Sequence, residues 1–260
     1  MANKSLDYIT SLLQKGIRFD ERSLEAYREP IVVERVISPR SSEGSARVKI
    51  AGTEVVAGVK LSVGEPYPDT PDEGSIVVNV ELIPLASPEF ETGPPDVAAV
   101  ELSRVVDRAI RESGALDMKK LCVKSGEKIW MVFIDIYPLN DNGNLFDACA
   151  LASIAALQDA KFPKYDAKTG IVDYSSSSNK GLPIVRLPIS CTVLKVGQQY
   201  LVDPSFEEEQ ALDARLTIAV ADGKICAMQK GGDGALTFED IQKMVDIAFR
   251  STELLRRKLE

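Results

Sequence analysis

An α+β fold is what this sequence predicts, arranged as two related halves, each a mixed sheet backed by helices. Strand-like runs come in groups, and each group closes with a helix. That order favours α+β over an alternating parallel fold. The grouping occurs twice without a sequence period, as a structural echo. The chain has 260 residues, 45% of them hydrophobic, enough for one large domain or two smaller halves.

The first element is a helix over about residues 3–14, with Leu6, Ile9, Leu12 and Leu13 forming its apolar stripe. Strands follow at 30–37, 46–52, 54–63 and 75–83, the second and third joined by a short Gly-containing turn as in a hairpin. The proline-rich segment "PLASPEFETGPPD" is a loop. A helix then runs from Asp96, its N-cap, to Ser113, with Gly114 as its stop. The strand "KIWMVFIDIY" and the turn "NDNGN" lead into "LFDACALASIAALQDA", small and apolar on most sides, as in a helix buried against a sheet.

Residues 164–181 are polar and read as a loop or connector. Strands return at 183–196, 199–203, 215–220 and 224–229. A helix over 238–257 closes the chain, capped by Thr237, with Ile241, Met244, Val245 and Ala248 on one face. The expected divisions are an N-terminal helix and arm (1–24), a first half (25–163), a connector (164–182) and a second half (183–260).

Composition excludes several chemistries. There is no histidine, so Ser-His-Asp and Cys-His catalysis and His-based zinc sites are unavailable. Cys122, Cys149, Cys191 and Cys226 form no C-x-x-C pair and read as buried free thiols. Any chemistry must use carboxylates, Lys, Arg, Tyr or a metal held by oxygens, and no resident cofactor is expected. The net charge of −8 means that any nucleic-acid contact needs a local basic patch. No apolar run approaches the roughly 20 residues a membrane helix needs, and "MANKSLDYITSLLQKGIRFDER" has no apolar signal core. These features read as a cytoplasmic chain.

Three places could carry chemistry. On the 96–113 helix, Arg104, Arg108 and Arg111 lie opposite Leu102, Val105, Val106 and Ala109. Three guanidiniums on one face suit phosphate groups. The same spacing also fits a solvated face, with Glu101, Asp107 and Glu112 as partners. The turn "NDNGNLFD" precedes a helix N-terminus that could hold an anion, or is an ordinary turn; it lacks the spacing of a calcium loop. In "FEEEQALDARLTIAV", Glu209 and Asp213 could share a divalent ion, or Arg215 could neutralise them in a structural ion pair.

Taken in order, "GIRFDERSLEAYR", "ELSRVVDRAIRESGALD", "IDIYPLNDNGNLFDACALASIAAL", "YLVDPSFEEEQALDARLTIAV" and "QKGGDGALTFEDIQKMVDIA" resemble the RNase PH family. Within it, the resemblance is to the non-catalytic RNase PH-like subunit of the archaeal exosome, over nearly the whole chain. It implies an RNase PH-like fold. Enzymes of this family shorten RNA from its 3′ end with inorganic phosphate as nucleophile. Their D-G-G-T-R-T-A segment aligns with "NGNLFDA", placing Phe146 where the phosphate-binding arginine stands. A phenyl ring offers phosphate no hydrogen-bond donor. Their E-D-x-x-x-x-x-D-M-N pattern has two aspartates six residues apart. Here the first falls on Glu209 and the second on Arg215, which reverses the charge. Asp213 would lie one pleat too early to substitute.

The resemblance therefore implies a catalytically inactive subunit with no catalytic residues of its own. It also implies an alternating hexameric ring with a catalytic RNase PH-like exosome subunit, and RNA-binding caps bearing S1 and KH or zinc-ribbon domains. The channel would admit single-stranded RNA. Arg104 and Arg108, with Arg111 behind them, become expected RNA contacts. An active phosphorolytic or metal-dependent exoribonuclease using Glu209, Asp213 and Asp203 is the alternative reading, and a scaffold without RNA contact is another.

Overall fold

The computed structural model describes residues 2–36, 41–166 and 169–259. The opening helix α1 (Ala2–Gln14) ends by burying Leu13 against Leu194, Val196 and Leu201. Its apolar stripe therefore serves the second half of the chain, not the first.

Six strands form the first sheet: β1 (Ile31–Arg35), β2 (Gly44–Ile50), β3 (Thr53–Gly64), β4 (Ser75–Val80), β5 (Cys122–Lys124) and β6 (Lys128–Asn140). The spatial order is β1-β2-β3-β6-β4, with β5 beside β6. β4 runs parallel to β6, and the other pairs are antiparallel, so this sheet is mixed. On β3, Val55, Ala57, Val59 and Leu61 face inward at period two, as an amphipathic strand requires. The first strand ends earlier than expected, and Ile37 lies outside the described residues. β6 continues through Pro138, beyond the expected end at Tyr137. The ladder shifts register between Glu54 and Val55 there, absorbing the residue that cannot donate.

Helix α2 (Val97–Glu112) starts as expected, with Asp96 accepting the Ala99 N–H at 2.8 Å. Helix α3 (Leu145–Asp159) is buried at every position from Asp147 to Leu157. It packs on β2 and β3 on one side and on a strand of the second sheet on the other. Its alanines let both layers approach closely. At Gly44 of β2, even a Cβ would fall 2.4 Å from the Ala156 carbonyl oxygen.

The polar connector expected at 164–182 is instead an antiparallel ribbon, β7 (Lys161–Asp166) with β8 (Ile171–Gly181). The "SSSSNK" run is polar throughout, so no apolar alternation marks it as a strand. Phe162 and Tyr165 of β7 pack on Trp130, with ring centroids 5.3 and 5.8 Å apart. Residues 167 and 168 of that segment lie outside the description.

The second sheet is antiparallel, in the order β10-β9-β11-β12. Its strands are β9 (Ile189–Val196), β10 (Gln199–Val202), β11 (Ala214–Ala221) and β12 (Lys224–Gly231). The strand expected at 183–196 starts only after Pro188, because prolines 183 and 188 interrupt the ladder. A single-turn helix α4 (Phe206–Glu209) precedes β11. Helix α5 (Phe238–Arg257) covers β9 and β11 behind a capping box of Thr237 and Asp240. One hydrophobic core runs through both sheets and α3. Of the four thiols expected to be buried, Cys149 and Cys191 are; Cys122 and Cys226 are half-buried, because β5 and β12 lie at sheet edges.

Candidate functional site

The three glutamates of α4 point to three different places. Glu207 is exposed. Glu208 turns inward to Arg18, whose Nε donates to Oε1 at 2.9 Å. Glu209 reaches the N-terminus of α3, where its Oε1 accepts the Asn144 N–H at 2.7 Å. Asp213 closes the β9–β10 turn, accepting the Gly197 N–H at 2.6 Å. Glu209 and Asp213 therefore each accept a different backbone N–H, in two different turns. Among the described residues no group of three acids or cysteines is placed to hold a metal.

The anion that the "NDNGN" turn could hold is supplied by the chain itself. Asn144 adopts the left-handed conformation, with φ of 62°, and presents its N–H to Glu209. Glu209 keeps some surface in solvent, yet protein packs closely around its carboxylate. That desolvation pushes its pKa up to about 7, against the opposing pull of the Asn144 N–H, Arg215 and Arg28.

Phe146 and Arg215 are in contact. The guanidinium carbon of Arg215 lies 4.7 Å from the centroid of the Phe146 ring, a cation–π geometry. Its Nη2 donates to Oε2 of Glu101 on α2 at 2.6 Å. Phe146 and Arg215, which the family resemblance singled out, thus pack on each other, and Glu101 neutralises the charge. At this site Phe146 offers phosphate no donor, and the charge of Arg215 is already paired with Glu101.

Beneath lies a buried polar network that sequence reasoning missed. Arg28 makes a two-pronged contact with Asp203, through Nε at 2.9 Å and Nη2 at 2.9 Å, and its backbone N–H adds a third bond at 2.6 Å. Arg28 also donates to the carbonyl of Gly143. Asn144 Nδ2 bridges Asp203 and Asp147, and the Tyr27 hydroxyl donates to Asp147 at 2.6 Å. Complete burial raises the Asp147 pKa to about 6, against those hydrogen bonds. Asp203, a candidate in the nuclease reading, is thus fully enclosed and bound by arginines. The sequence trace of this network was the segment "GIRFDERSLEAYR", which ends in Tyr27 and Arg28; the partners of those two residues lie more than 110 residues away in the chain.

The arginine face of α2 divides. Arg104 is exposed and forms no ion pair among the described residues. Arg108 is exposed, with Nη1 only 3.4 Å from Gln229 Oε1. Arg111 is engaged: Nε and Nη2 grip Asp107, and Nη2 also donates to the Ile76 carbonyl at 3.0 Å. Ser103 donates to the Val78 carbonyl at 2.7 Å. Side chains of α2 thereby satisfy the open edge of β4. Arg111, placed with the RNA contacts from sequence, spends most of its fork on structure.

Residues 29–163 match the 3′ exoribonuclease family, domain 1, and residues 186–251 match its domain 2; both are RNase PH models. The chain belongs to the 3′ exoribonuclease family. Within that family it is 47% identical, over 253 residues, to exosome complex component Rrp42 of Methanothermobacter thermautotrophicus, covering 97% of this chain and 93% of the relative. It is 48% identical to the Archaeoglobus fulgidus protein of the same name over 98% of this chain and 95% of the relative. Among solved structures, a chain of the Archaeoglobus fulgidus exosome with RNA bound to the active site superposes with a TM-score of 0.91 at 45% identity, covering 100% of this chain and 99% of that one. A chain of an archaeal exosome core gives 0.86 at 41% identity, covering 99% and 97%. Rice Rrp46, at 18% identity and 0.68, shares the fold, over 93% of this chain and 99% of that one. The expected RNase PH-like α+β fold is the fold of this 3′ exoribonuclease family member.

Proposed function

We propose that this chain is a ring subunit of an archaeal RNA exosome with no phosphorolytic chemistry of its own. Its role is to complete and activate a 3′-to-5′ phosphorolytic exoribonuclease formed with a catalytic RNase PH-like subunit, and to hold single-stranded RNA. The full-length similarity to exosome components supports the assembly. The Phe146–Arg215–Glu101 stack carries the inactivity. Phosphorolysis needs donors on the attacking phosphate and an acid near the leaving 3′ oxygen. In this chain an aromatic ring and a paired guanidinium stand at those positions.

Arg104 and Arg108 are the RNA contacts in this reading, because their forks are the ones left open on α2. Arg111 contributes positive field more than direct bonds. Caps with S1 and KH or zinc-ribbon domains complete the assembly, in the cytoplasm. No helix among the described residues is long and apolar enough to cross a membrane.

The test uses the chain alone and the chain co-expressed with a catalytic RNase PH-like subunit, each given RNA, inorganic phosphate and magnesium. The expected result is nucleoside diphosphate release by the complex and none by the chain alone. Release by the chain alone that is lost in Glu209→Gln overturns the inactive reading. In the complex, Arg104→Glu with Arg108→Glu lowers RNA affinity and flattens the log-affinity against log-salt slope by about 2. An unchanged affinity across the salt series leaves a scaffold without RNA contact.

A further inference from the structure

Helix α2 carries its cations among acids. On a helix, the partners within reach of a side chain lie three or four residues away. For Arg104 the acids at those spacings are Glu101 and Asp107, while the other two positions hold Val100 and Arg108. An exposed arginine flanked in this way ordinarily shares its charge with one of the acids. Here both are turned away from it. Asp107 is gripped by Nε and Nη2 of Arg111, at 3.1 and 2.7 Å. Glu101 is taken by a residue from the other sheet: its Oε2 accepts from Nη2 of Arg215 at 2.6 Å.

The pose of Arg215 is fixed by its surroundings. It lies on β11, opposite Gly231 of β12. A Cβ at Gly231 would fall 2.6 Å from the guanidinium carbon and from Nε, so Arg215 needs a glycine as its cross-strand neighbour. The Phe146 ring lies 4.7 Å from the same carbon. The guanidinium therefore packs on an aromatic ring and on bare backbone, and its Nη2 reaches α2. The side chains of Arg215 and Glu101 are only 20% and 30% exposed. A pair between Glu101 and Arg104 would lie on the open face of α2, where water and salt screen it more strongly. Glu101 thus stays with Arg215, and Arg104 stays free.

We propose that Arg215 is a positioning residue for RNA binding: by withholding Glu101, it leaves the Arg104 guanidinium open for a backbone phosphate. The proposal rests on the RNA contact assigned above to Arg104 and Arg108. Arg215 itself touches no RNA in this scheme. Without it, Glu101 turns along the helix to Arg104, three residues on. The fork that would hold phosphate is then occupied, and a neutral pair beside the phosphate path has become an uncompensated carboxylate. Both changes weaken RNA binding, and both act through Glu101.

The test measures binding of a labelled single-stranded oligoadenylate to the chain assembled with the catalytic subunit, by fluorescence anisotropy, with phosphate and magnesium omitted to prevent turnover. Arg215→Met removes the charge and keeps an apolar contact for Phe146; circular dichroism and gel filtration check folding and assembly. The dissociation constant is expected to rise about 2- to 5-fold at about 0.1 M salt. Adding Glu101→Gln to Arg215→Met should return the affinity to that of Glu101→Gln alone. An unchanged affinity in Arg215→Met overturns the proposal. So does a loss that persists in the Glu101→Gln background, which would make Arg215 a direct RNA contact or a structural prop. If Arg215→Met does not assemble, a cycle of Glu101→Gln and Arg104→Gln in the chain that keeps Arg215 decides. The two effects on affinity should multiply, and a departure of more than ~2-fold would show that Glu101 already engages Arg104, which overturns the proposal. Weak binding by Arg104→Glu with Arg108→Glu, beside wild-type binding by Arg215→Met, removes this proposal alone. Unchanged binding by Arg104→Glu with Arg108→Glu removes the RNA reading and this proposal together.

Discussion

Glu209 holds its proton longer in the folded chain than in the unfolded one, with a pKa of about 7 against an ordinary 4.5. The cause is crowding of the carboxylate by protein. Over that interval the folded state binds more protons, so stability is greatest below about 4.5 and falls as pH rises towards 7. Asp147, raised from 3.8 to about 6, acts in the same direction over a lower window. Glu209→Gln removes the ionisation and keeps an acceptor for the Asn144 N–H. We expect the variant to flatten the loss of stability between pH 4.5 and 7 by on the order of 2 kcal/mol, read from urea unfolding at a series of pH values. A slope identical to wild type would show that the carboxylate is well hydrated. At the same scale, Phe146 and Arg215 should be coupled. A double-mutant cycle of Phe146→Ala and Arg215→Ala should return an interaction of about 0.5–1 kcal/mol, and a value of zero would mean that the stack contributes nothing.

Among the elements, the N-terminal arm depends most on a single side chain. Arg18 is only 1% exposed and holds Glu208, the Val202 carbonyl and the Asp203 carbonyl together. Arg22 adds bonds to Asp203 and to the Ala26 carbonyl. The arm between α1 and β1 is thus clamped onto the second half, although it precedes the first. Arg18→Met leaves buried Glu208 with only the Arg22 guanidinium, 3.9 Å away, as a cation. It should cost about 3–5 kcal/mol and open residues 15–24 to limited proteolysis. A variant as protease-resistant as wild type would show that α1 packing alone anchors the arm. Helix α2 has a similar double task. Its inner side chains close the β4 edge, while its outer stripe remains open, and this is why three arginines at equivalent spacing end in different roles.

For the molecule as a whole, α3 is the decisive piece. Its two faces join the sheets into one core, so the halves should unfold together. We expect one calorimetric transition, with calorimetric and van't Hoff enthalpies in agreement. Two resolved transitions would mean that each sheet is stable without the other. Much of this architecture was legible in the sequence. Alternation marked β3, the caps at Asp96 and Thr237 marked α2 and α5, and the unbroken apolar run marked α3 as buried. The β7–β8 ribbon was not legible, because the polar Ser-rich run of β8 carries no hydrophobic period.

For the site, the sequence by itself determined that a ring stands at Phe146 and a cation at Arg215, the two residues that the resemblance to the family singles out. Spacing also placed the three arginines on one face. The tertiary structure alone decided that Phe146 and Arg215 touch, that Glu101 neutralises the pair, that Glu209 fills the α3 N-terminus, and that Arg111 is committed while Arg104 is open. The physical reason is distance along the chain. Periodicity and capping act over a few residues, whereas Glu101 and Arg215, or Arg18 and Glu208, meet only when the two sheets close around α3.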